Sequence, residues 1–376
     1  MIRILLYTSA YRPLVGGSEI AIEQIARRIP SFEFHIVTPR YDAQLATQEH
    51  NGNITIHRVG FGSSIDKWIF PLTGFFVGIR LMRQTDYAVL HAYQASYGAG
   101  AACLLTWAYP KTPFLISIQE GKDLSRQSSF IRLFRNIIIR VADAATAISS
   151  YLVGYIRSIR KDIPITCIPN GVDMHVFGKH FTQEEREVIK TRLGISPTDR
   201  VIISISRLVE KNGLHNLISA VAGIPHGVLL LVGSGPLHAV LSEHACQNHV
   251  YVIFTGSVPY QQLSDYLAVA DVFVRSSLSE GLGSAFLEAM AAGIPVIGSS
   301  VGGIPDFLYD NETGLFCDPR NIDDIRAKIL TILSDDQQKV RLIQSARVLI
   351  QKRYTWETVA AHMQSVYNAL AHKNKL

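Results

Sequence analysis

Short apolar runs alternate along the chain with longer stretches in which apolar residues recur at helical spacing. Apolar runs bounded by turn residues are typical of strands that are buried on both faces of a parallel sheet. In the first half of the chain, the predicted strands are Ile2–Tyr7, Phe34–Thr38, Ala88–Ala92, Pro113–Ile118, Ala144–Ile148 and Ile165–Ile168. The predicted helices between them are Gly17–Ile29, Ile65–Met82 and Ser129–Val141. This order predicts a doubly wound α/β domain.

A second series with the same pattern follows a polar segment, Gly178–Arg200, and we expect a linker near residue 178. Its predicted strands are Val201–Ser206, Gly227–Val232, Val250–Thr255, Val272–Arg275 and Pro295–Gly298. Its predicted helices are Leu214–Ala222, Gln261–Val269 and Ser284–Ala292. We therefore expect two domains, residues 1–178 and 179–355, and a terminal amphipathic helix within 356–376 that packs back across the hinge. Ligands of such sheets bind beyond the carboxyl ends of the strands, so we expect the site in a cleft that the two domains face.

Composition narrows the class of protein. Hydrophobic residues make up 48% of the 376 positions and charged residues 18%, which is enough to bury two ordinary cores. The four cysteines lie far apart without a C-x-x-C pair, so we expect reduced, buried thiols in a cytosolic protein, and neither a zinc site nor a disulfide framework. The apolar start of the chain is too short for a signal peptide and reads as the first strand.

Charge is unevenly distributed. Residues 1–180 hold 19 Lys and Arg against 12 Asp and Glu, so this half carries most of the positive charge. Phe130–Val141 and Lys67–Arg83 combine basic residues with large apolar ones. Both are too short or too interrupted to span a bilayer, which takes about 20 apolar residues. Two interpretations stay open: these helices cover the sheet, or they contact an anionic membrane surface. No groove-reading helix or stacking motif indicates nucleic acid.

The strongest candidate chemistry lies between Glu280 and Glu288. The predicted strand ends near Arg275, a glycine-containing turn follows, and a helix begins near Ser284. Backbone N–H groups at a helix N-terminus bind phosphate or polar hydroxyls, and glycine allows the ligand to approach closely. The two carboxylates can accept hydrogen bonds from vicinal diols, such as those of a sugar and a ribose.

The string that follows these glutamates, EAMAAGIPVIGSSVGG, resembles the family 4 glycosyltransferases of the GT-B fold. The resemblance extends over nearly the whole chain. It also includes YRPLVGGSE at Tyr11–Glu19, PNGVD at Pro169–Asp173, SRLVEKNG at Ser206–Gly213 and GSGPL at Gly233–Leu237. It implies two Rossmann-like domains and a nucleoside-diphosphate sugar as co-substrate, without a metal or other cofactor.

The resemblance implies a role for each matching residue. Glu280 would contact the donor sugar and Glu288 the nucleotide ribose. The backbone of four residues would line the sugar and the diphosphate: Gly281, Leu282, Gly283 and Ser284. Glycines that allow close approach to the donor would be Gly16, Gly17 and Gly235.

Two cations are candidates for offsetting the charge that develops on a leaving nucleoside diphosphate. Arg207 stands at the end of a predicted strand and Lys211 lies four residues later. Without a metal, only cationic side chains and helix dipoles can stabilise that charge. The family usually has its lysine immediately before the glycine, and that position is Asn212 here.

The acceptor side falls in the N-terminal domain. His91 ends a predicted strand at a position where the family often has histidine; it either faces the acceptor or is a core histidine with satisfied hydrogen bonds. Gln119 stands at the position where many members have a histidine near the donor sugar, and it cannot titrate near neutrality. Glu120 and Asp123 are candidate acceptor-site carboxylates or loop caps.

These residues predict a retaining glycosyltransferase that moves a hexosyl group from a UDP- or GDP-linked sugar to a glycan or lipid-linked acceptor. The expected setting is cell-surface polysaccharide or glycolipid synthesis, in the cytoplasm or at the inner face of the plasma membrane. The alternative that keeps the donor residues is a non-catalytic nucleotide-sugar-binding subunit. A dehydrogenase is excluded because Gly233-Ser234-Gly235 lacks the third glycine of the dinucleotide fingerprint.

Overall fold

A computed structural model of the chain describes residues 1–13, 16–119 and 128–373. The chain divides into two compact units. Unit 1 contains Met1–Asn170 and Trp356–Leu376, and unit 2 contains Gly171–Thr355. Each unit is built on one twisted, mainly parallel sheet. The α/β class expected from the alternation of apolar runs is therefore observed.

Before Asn170, the described part of unit 1 contains eight strands and five helices. The strands are β1 (Ile2–Tyr7), β2 (Phe32–Pro39), β3 (Gln48–Asn51), β4 (Ile54–Val59), β5 (Val89–Tyr93), β6 (Phe114–Ile118), β7 (Ala144–Ala147) and β8 (Ile165–Cys167). The helices are α1 (Gly17–Arg28), α2 (Asp66–Gln84), α3 (Tyr97–Ala108), α4 (Ser129–Val141) and α5 (Ser150–Ile159). The strand order is β3-β4-β2-β1-β5-β6-β7-β8, and only β3 runs antiparallel to its neighbour.

Four elements of unit 1 lie outside the sequence prediction: β3, β4, α3 and α5. The edge strand β3 has four exposed residues, QEHN, so it carries no apolar signal. It pairs with β4, which the prediction also missed. The helix α3 is made largely of small apolar residues and is buried on most sides. Because its sequence lacks alternation between polar and apolar positions, helical periodicity does not identify it.

Unit 2 contains six strands and eight helices of at least four residues. The strands are β9 (Arg200–Ile205), β10 (Gly227–Val232), β11 (Tyr251–Gly256), β12 (Val272–Arg275), β13 (Val296–Gly298) and β14 (Leu315–Phe316). The helices are α6 (Met174–Phe177), α7 (Gln183–Leu193), α8 (Leu214–Val221), α9 (His238–Gln247), α10 (Leu263–Ala268), α11 (Ser284–Ala292), α12 (Ile322–Ser334) and α13 (Asp336–Arg353). The all-parallel strand order is β11-β10-β9-β12-β13-β14.

The polar segment Gly178–Arg200 belongs to unit 2. It contains α7, which begins with a capping box in which Thr182 and Glu185 satisfy each other's backbone N–H groups. The helix ends at Gly194 in the left-handed conformation, with φ +71°. Most of its residues are polar and exposed, so the segment carries no apolar periodicity from which a helix could be predicted.

The boundary between the units lies at Asn170 and Gly171 rather than after residue 178. Val172 donates its backbone N–H to the Tyr354 carbonyl at 2.7 Å, inside unit 2. The ring of Phe177 in α6 packs edge-on against that of Tyr260, with centroids 5.3 Å apart. These contacts bind the segment after Asn170 to unit 2 and correct the expected domain limits of 1–178 and 179–355.

The terminal helix α14 (Trp356–Lys373) belongs to unit 1 and packs on α1. Its buried face presents Trp356, Met363 and Tyr367 to the apolar residues of α1 and β2. The Tyr367 ring lies 5.7 Å from that of Phe32. The chain therefore returns from unit 2 to unit 1 between Thr355 and Trp356, and its last helix closes the core of the first sheet.

The four cysteines, all in the described part of the chain, form no disulfide with one another. Cys103 and Cys317 are buried, as expected, and burial raises the pKa of both thiols. Cys167 and Cys246 are exposed, which corrects the expectation that all four are buried. Cys167 ends the edge strand β8, where a side chain is covered on fewer sides than in the centre of the sheet.

The hydroxyl of Tyr367 generates the first prediction. It hydrogen bonds to Nδ1 of the fully buried His91 at 2.8 Å. Tyr367→Phe should lower the free energy of unfolding of unit 1 by about 1–3 kcal/mol, because a buried imidazole nitrogen loses its partner. Urea denaturation followed by tryptophan fluorescence measures the change. Tyr151→Phe, at an exposed tyrosine of the same unit, is the control and should leave the transition unchanged; equal midpoints for both variants would contradict the account.

Candidate active site

The sheet of unit 2 reverses its direction of winding between β9 and β12. Successive strands lie to one side of β9 in the order β10, β11, and to the other side in the order β12, β13, β14. The loops that follow β9 and β12 therefore leave in opposite directions, and a crevice forms at the carboxyl ends of the two strands. The loop after β9 is Ser206–Gly213, and the loop after β12 is Ser276–Gly283.

Backbone hydrogen bonds join these two loops. The Leu278 N–H donates to the Lys211 carbonyl at 2.7 Å. The Ser276 hydroxyl donates to the carbonyl of Gly213 at 3.1 Å. Gly213 has φ +65°, and a Cβ there would lie 2.0 Å from the carbonyl oxygen of Ser276. Only glycine permits this approach, so the two loops form one rigid surface.

The turn before α11 is equally tight. Gly283 caps the helix in the left-handed region, with φ +94°. Gly302 has φ +56°, and a Cβ there would lie 1.7 Å from the backbone oxygen of Glu280. The glycine loop after β13 thus supports the segment Glu280–Gly283 from behind. The helix α11 begins at Ser284, after the carboxyl end of β12, and a helix N-terminus is suited to an anionic or hydroxyl-rich ligand.

Glu280 is buried at the crevice and has cations on two sides. Its Oε2 accepts a short hydrogen bond from Nη2 of Arg275. Its Oε1 accepts from the N–H of Gly281 at 3.1 Å and lies 4.0 Å from Nζ of Lys211. A buried carboxylate is stable only with such partners. The side chain is therefore held in one orientation before any ligand binds.

Glu288 lies one turn into α11, buried in surroundings of lower polarity. Burial raises the pKa of its carboxyl to about 7, and the positive charge of Arg275 opposes that rise. No hydrogen bond reaches this carboxyl from the residues that the structure describes. A pKa near neutrality and an open set of acceptor positions are typical of a group that binds hydroxyl donors of a ligand.

The two predicted cations lie on the loop after β9. Arg207 follows the carboxyl end of that strand and is exposed. Lys211 is half-buried, and its Nζ donates to the Ser279 carbonyl at 3.4 Å. The structure thus brings Arg207, Lys211, Glu280 and Glu288 to one edge of one sheet. Asn212 points inward instead, donating from Nδ2 to the Arg207 carbonyl at 2.6 Å.

The predicted backbone residues occupy the same edge. Gly281, Leu282 and Gly283 are buried in the turn, and Ser284 begins α11. Gly235 packs against the loop after β9, where a Cβ would lie 2.4 Å from the Leu208 carbonyl oxygen. The glycine therefore brings the loop after β10 against the loop that carries Arg207.

Arg275 is the site residue that the sequence reasoning missed. The sequence pattern identifies Arg275 only as the end of a predicted strand. In the structure its side chain is 8% exposed and contacts Glu280. The available signal was a charged residue at the end of an otherwise apolar strand, VFVR, five positions before the first glutamate. A cation there is costly to bury unless a neighbouring carboxylate accepts it.

Two further candidates lie in unit 1, after β1. Gly16 caps α1 in an extended conformation, with φ −139°, and Gly17 is the first residue of that helix. A Cβ at Gly16 would lie 2.7 Å from the Glu19 carboxylate, which is in the first turn of α1. Leu14 and Val15, which precede these glycines, lie outside the described residues.

His91 is a core residue and not a surface group. It is fully buried in β5, and its ring nitrogens hydrogen bond to Tyr367 Oη and Ser117 Oγ, both at 2.8 Å. Burial lowers the pKa of this imidazole to about 3, so it is neutral near pH 7. Of the two interpretations left open by the sequence, the structure favours the satisfied core histidine, and the acceptor-facing interpretation is corrected.

Gln119 follows β6 and is half-buried. It lies at the carboxyl end of the first sheet, where a ligand of a doubly wound domain is expected. Glu120 and Asp123 lie outside the described residues, so their predicted roles remain predictions.

The sequence matches two family descriptions. Glycosyl transferases group 1 matches residues 185–349, and Glycosyltransferase Family 4 matches residues 15–176. An uncharacterized glycosyltransferase of Methanocaldococcus jannaschii is 30% identical, with 97% of each chain covered. A GDP-mannose-dependent alpha-(1-6)-phosphatidylinositol monomannoside mannosyltransferase of Mycobacterium tuberculosis is 27% identical over 96% of this chain and 97% of its own.

Solved structures share the architecture. The Anabaena protein HepE, in complex with UDP and glucose, superposes with a TM-score of 0.81 at 17% identity, covering 98% of this chain and 100% of its own. Both sheets of the chain thus have counterparts in one known fold. The chain belongs to the family 4 glycosyltransferases (glycosyl transferases group 1) of the GT-B fold, and its activity is glycosyl transfer from a nucleotide sugar.

Proposed function

We propose that this chain transfers a hexosyl group, with retention of anomeric configuration, from a UDP- or GDP-linked sugar to a hydroxyl of a glycan or lipid-linked acceptor. The observation that carries the proposal is the arrangement at the edge of the second sheet. Glu280 and Glu288 flank the N-terminus of α11, and the cationic loop of Arg207 and Lys211 lies beside it. This combination offers acceptors for two diols and positive charge for the diphosphate between them.

Each part of the donor then has a partner in unit 2. The ribose hydroxyls donate to Glu288, which is ionised when they bind. The diphosphate meets the backbone N–H groups of Gly281–Ser284, with Arg207 and Lys211 beside them. The sugar hydroxyls meet Glu280, whose Oε1 faces the Lys211 side. Because these groups are fixed before binding, they can stabilise charge on the departing diphosphate without reorganisation.

The proposed reaction takes place on one face of the sugar. The bond from the anomeric carbon to the phosphate oxygen breaks while a bond to the acceptor oxygen forms on the same face. The proton of the acceptor hydroxyl passes to the leaving phosphate oxygen. A protein base is not required, which agrees with a glutamine at position 119. The proposed reaction needs no metal, since cations and the helix N-terminus offset the phosphate charge.

The relatives support the substrate classes. The mycobacterial relative uses GDP-mannose and a phosphatidylinositol mannoside, and HepE was solved with UDP and glucose. We therefore propose a UDP- or GDP-hexose donor and an acceptor in cell-surface polysaccharide or glycolipid synthesis.

Two measurements on the purified chain test the function. A thermal-shift panel of UDP, GDP, ADP and their hexose conjugates should show stabilisation by one nucleotide class; a ligand at about 100 times its dissociation constant adds roughly 2.7 kcal/mol. Release of that nucleoside diphosphate should depend on acceptor. Binding without acceptor-dependent release, across a panel of glycan and glycolipid acceptors, would favour the non-catalytic subunit instead.

An apolar stripe on α2 supports contact with a membrane. Trp68, Leu72 and Phe76 recur at every fourth position, and all three are at least 60% exposed. The opposite side of the helix is narrow: Cβ atoms at Gly74 and Gly78 would lie 3.1 Å from Ala101 and 2.8 Å from Leu105 of α3. The helix thus buries its glycines and leaves its large side chains outside.

The helix α4 continues this surface. Leu133 and Ile137 are exposed, whereas Ile138 and Ile139 are fully buried. A Cβ at Gly100 of α3 would lie 2.8 Å from the Phe134 ring and 3.6 Å from Pro71, so α3 lies between α2 and α4. We call the exposed large apolar residues of the three helices the α2–α4 face: Trp68, Leu72, Phe76, Trp107, Ile131, Leu133 and Ile137.

Charge selects an anionic lipid surface as the partner of this face. The sequences of α2, α3 and α4 contain one acidic residue, Asp66, which is buried and accepts backbone N–H bonds from residues 61–63. The exposed charged residues of these helices are all basic: Lys67, Arg80, Arg83, Arg132 and Arg140. No helix among the described residues is long and apolar enough to cross a membrane. We propose that the α2–α4 face lies on the inner leaflet of the plasma membrane, where a lipid-linked acceptor is available.

Removing the titrating carboxyl at position 288 gives the second prediction. Burial favours the protonated form of the Glu288 carboxyl, whereas ribose hydroxyls that donate to it favour the ionised form. Affinity for UDP or GDP should therefore rise as pH increases through about 7, by roughly tenfold between pH 6 and pH 8. Glu288→Gln should remove this rise and leave only the smaller one due to the phosphates. Calorimetric titration across that range measures it; a wild-type pH profile that Glu288→Gln reproduces would contradict the ribose role.

The same carboxyl predicts how stability depends on pH. Because the folded pKa lies above the unfolded value of about 4.5, the contribution of this group is fully present below pH 4.5 and is lost as pH rises through 7. Glu288→Gln should therefore gain stability relative to wild type between pH 5 and pH 8. Thermal midpoints of both proteins at these two pH values check the sign.

Arg207→Ala gives the third prediction. Its guanidinium should matter most when the diphosphate charge is largest, in the transition state, so kcat should fall by about 10²–10³ with a smaller change in the KM for the donor. Steady-state kinetics with varied donor measure both constants. The control is Arg200→Ala, an exposed arginine at the other end of β9. A normal kcat for Arg207→Ala would rule out the role in leaving-group departure.

The α2–α4 face gives the fourth prediction. The triple variant Trp68→Ser, Leu72→Ser, Phe76→Ser should lose most of its retention on vesicles that contain about 30% phosphatidylserine, and keep its thermal midpoint because the residues are exposed. Co-sedimentation at low salt measures retention. The control variant Val240→Ser, Val348→Ser changes exposed apolar residues of unit 2. Equal retention of the triple variant and wild type would contradict the proposal.

A further inference from the structure

The buried guanidinium of Arg275 links the two loops of the crevice through side chains. Its Nη2 donates to Glu280 on one side and to Oδ1 of Asn212, at 3.2 Å, on the other. Asn212 in turn donates to the backbone carbonyl of Arg207 at 2.6 Å. One continuous series of hydrogen bonds therefore connects the cationic loop after β9 to the acidic turn after β12.

Burial of the Arg275 guanidinium by itself lowers the stability of the fold. Arg275 is 8% exposed, and its Nε is buried without an acceptor among the residues that the structure describes. A buried cation with an unsatisfied donor destabilises a fold unless its partners offset the cost. An apolar residue at the end of β12 would avoid the cost, since the rest of that strand is apolar. The arginine is therefore best explained by what it does to its neighbours.

The main effect of Arg275 is on Glu280. The guanidinium occupies Oε2, and the Gly281 N–H approaches Oε1, so the carboxylate cannot rotate without breaking a charge-assisted bond. Oε1 remains on the side of Lys211. The acceptor lone pairs available to a sugar are thus restricted to one oxygen and one direction, which is the geometric basis of selectivity between epimeric hydroxyls.

Asn212 fits the same arrangement. Its amide is 1% exposed and in contact with the Arg275 guanidinium, so an ammonium group at this position would place a second buried cation against the first. Like charges at such a distance in a buried site repel strongly. A neutral amide that accepts from Arg275 and donates to the Arg207 carbonyl avoids this repulsion and completes the link.

We propose that Arg275, held by Asn212, is a positioning residue that fixes the Glu280 carboxylate for the donor sugar and thereby sets which hexose is accepted. The inference rests on the proposed contact of Glu280 with the sugar. It concerns the sugar, because the hydrogen bonds of Arg275 are to Glu280 and Asn212; at the ribose site its charge acts only by lowering the pKa of Glu288.

Calorimetric titration of the full chain with GDP and GDP-mannose, and with UDP and UDP-glucose, tests this role. The titrations are made at about pH 9, so that Glu288, whose pKa the Arg275 charge lowers, stays ionised in wild type and variant. In Arg275→Leu, affinity for the bare nucleoside diphosphate should then stay within about twofold of wild type, whereas the added affinity due to the sugar should fall by about tenfold or more. The kcat ratio between epimeric donors should move toward one. Arg347→Leu is the matched control and should change neither affinity: this residue of α13 donates from its guanidinium to the Ala292 carbonyl at the far end of α11.

A second variant keeps the test valid if Arg275→Leu folds poorly. Asn212→Lys alone should lower the thermal midpoint, because it adds a cation beside Arg275. Asn212→Lys combined with Arg275→Leu should recover the midpoint and most of the sugar-dependent affinity, since the lysine can reach Glu280 from the neighbouring loop. A folded double variant that recovers no sugar-dependent affinity would overturn the proposal.

The remaining outcomes separate this inference from the proposed function. Equal losses of nucleoside diphosphate and nucleotide-sugar affinity in Arg275→Leu would mean that the arginine acts on the phosphates or on the fold, and the positioning role would be wrong. Failure of wild-type protein to bind any of the four ligands would instead contradict the donor function itself.

Discussion

The burial of opposite charges at the carboxyl ends of β9 and β12 is the constraint on which the site depends. Arg275 and Glu280 leave water together and stabilise each other only in one geometry. Three glycines provide that geometry: Gly213 and Gly302 each allow a backbone oxygen to approach where a side chain would collide, and Gly283 adopts a positive φ at the turn before α11. The two loops are therefore rigid before a ligand arrives. A donor that binds there meets charges and N–H groups that need no rearrangement, which is the condition for electrostatic catalysis.

The two carboxylates of the site differ because their surroundings differ. Glu280 is paired with a cation and is fixed in direction, whereas burial without a hydrogen-bond partner among the described residues raises the pKa of Glu288. Glu280 is suited to distinguishing sugars by the arrangement of their hydroxyls, whereas Glu288 is suited to accepting hydrogen bonds when the ribose binds. Unit 1 departs from the usual distribution of polar and apolar side chains in two places. A polar histidine is buried in its core, and large apolar side chains are exposed on the α2–α4 face. The exposed apolar side chains are the basis for the proposal that unit 1 contacts a membrane in which the lipid-linked acceptor is available.

Local patterns predicted the parts of the fold and site that lie close together in sequence. Apolar runs gave most strands, and the spacing of Glu280 and Glu288 around a turn and helix start agrees with the observed turn and α11. Contacts between distant residues could not be predicted. The Asn212–Arg275 bond spans 63 positions and the His91–Tyr367 bond spans 276, so neither the positioning arginine nor the core histidine is visible in a sequence window. The polar surface of α7 and the small residues of α3 conceal helices for the opposite reasons of exposure and burial.

The most direct test of the account is a crystal structure of the full chain with the nucleotide sugar that the thermal-shift panel selects. The account predicts the diphosphate against the N–H groups of Gly281–Ser284, the ribose within hydrogen-bonding distance of the Glu288 carboxylate, and a sugar hydroxyl on Glu280 Oε1 with the Arg275 bond intact. A nucleotide bound at another edge of the sheet, or a ribose directed away from Glu288, would contradict it.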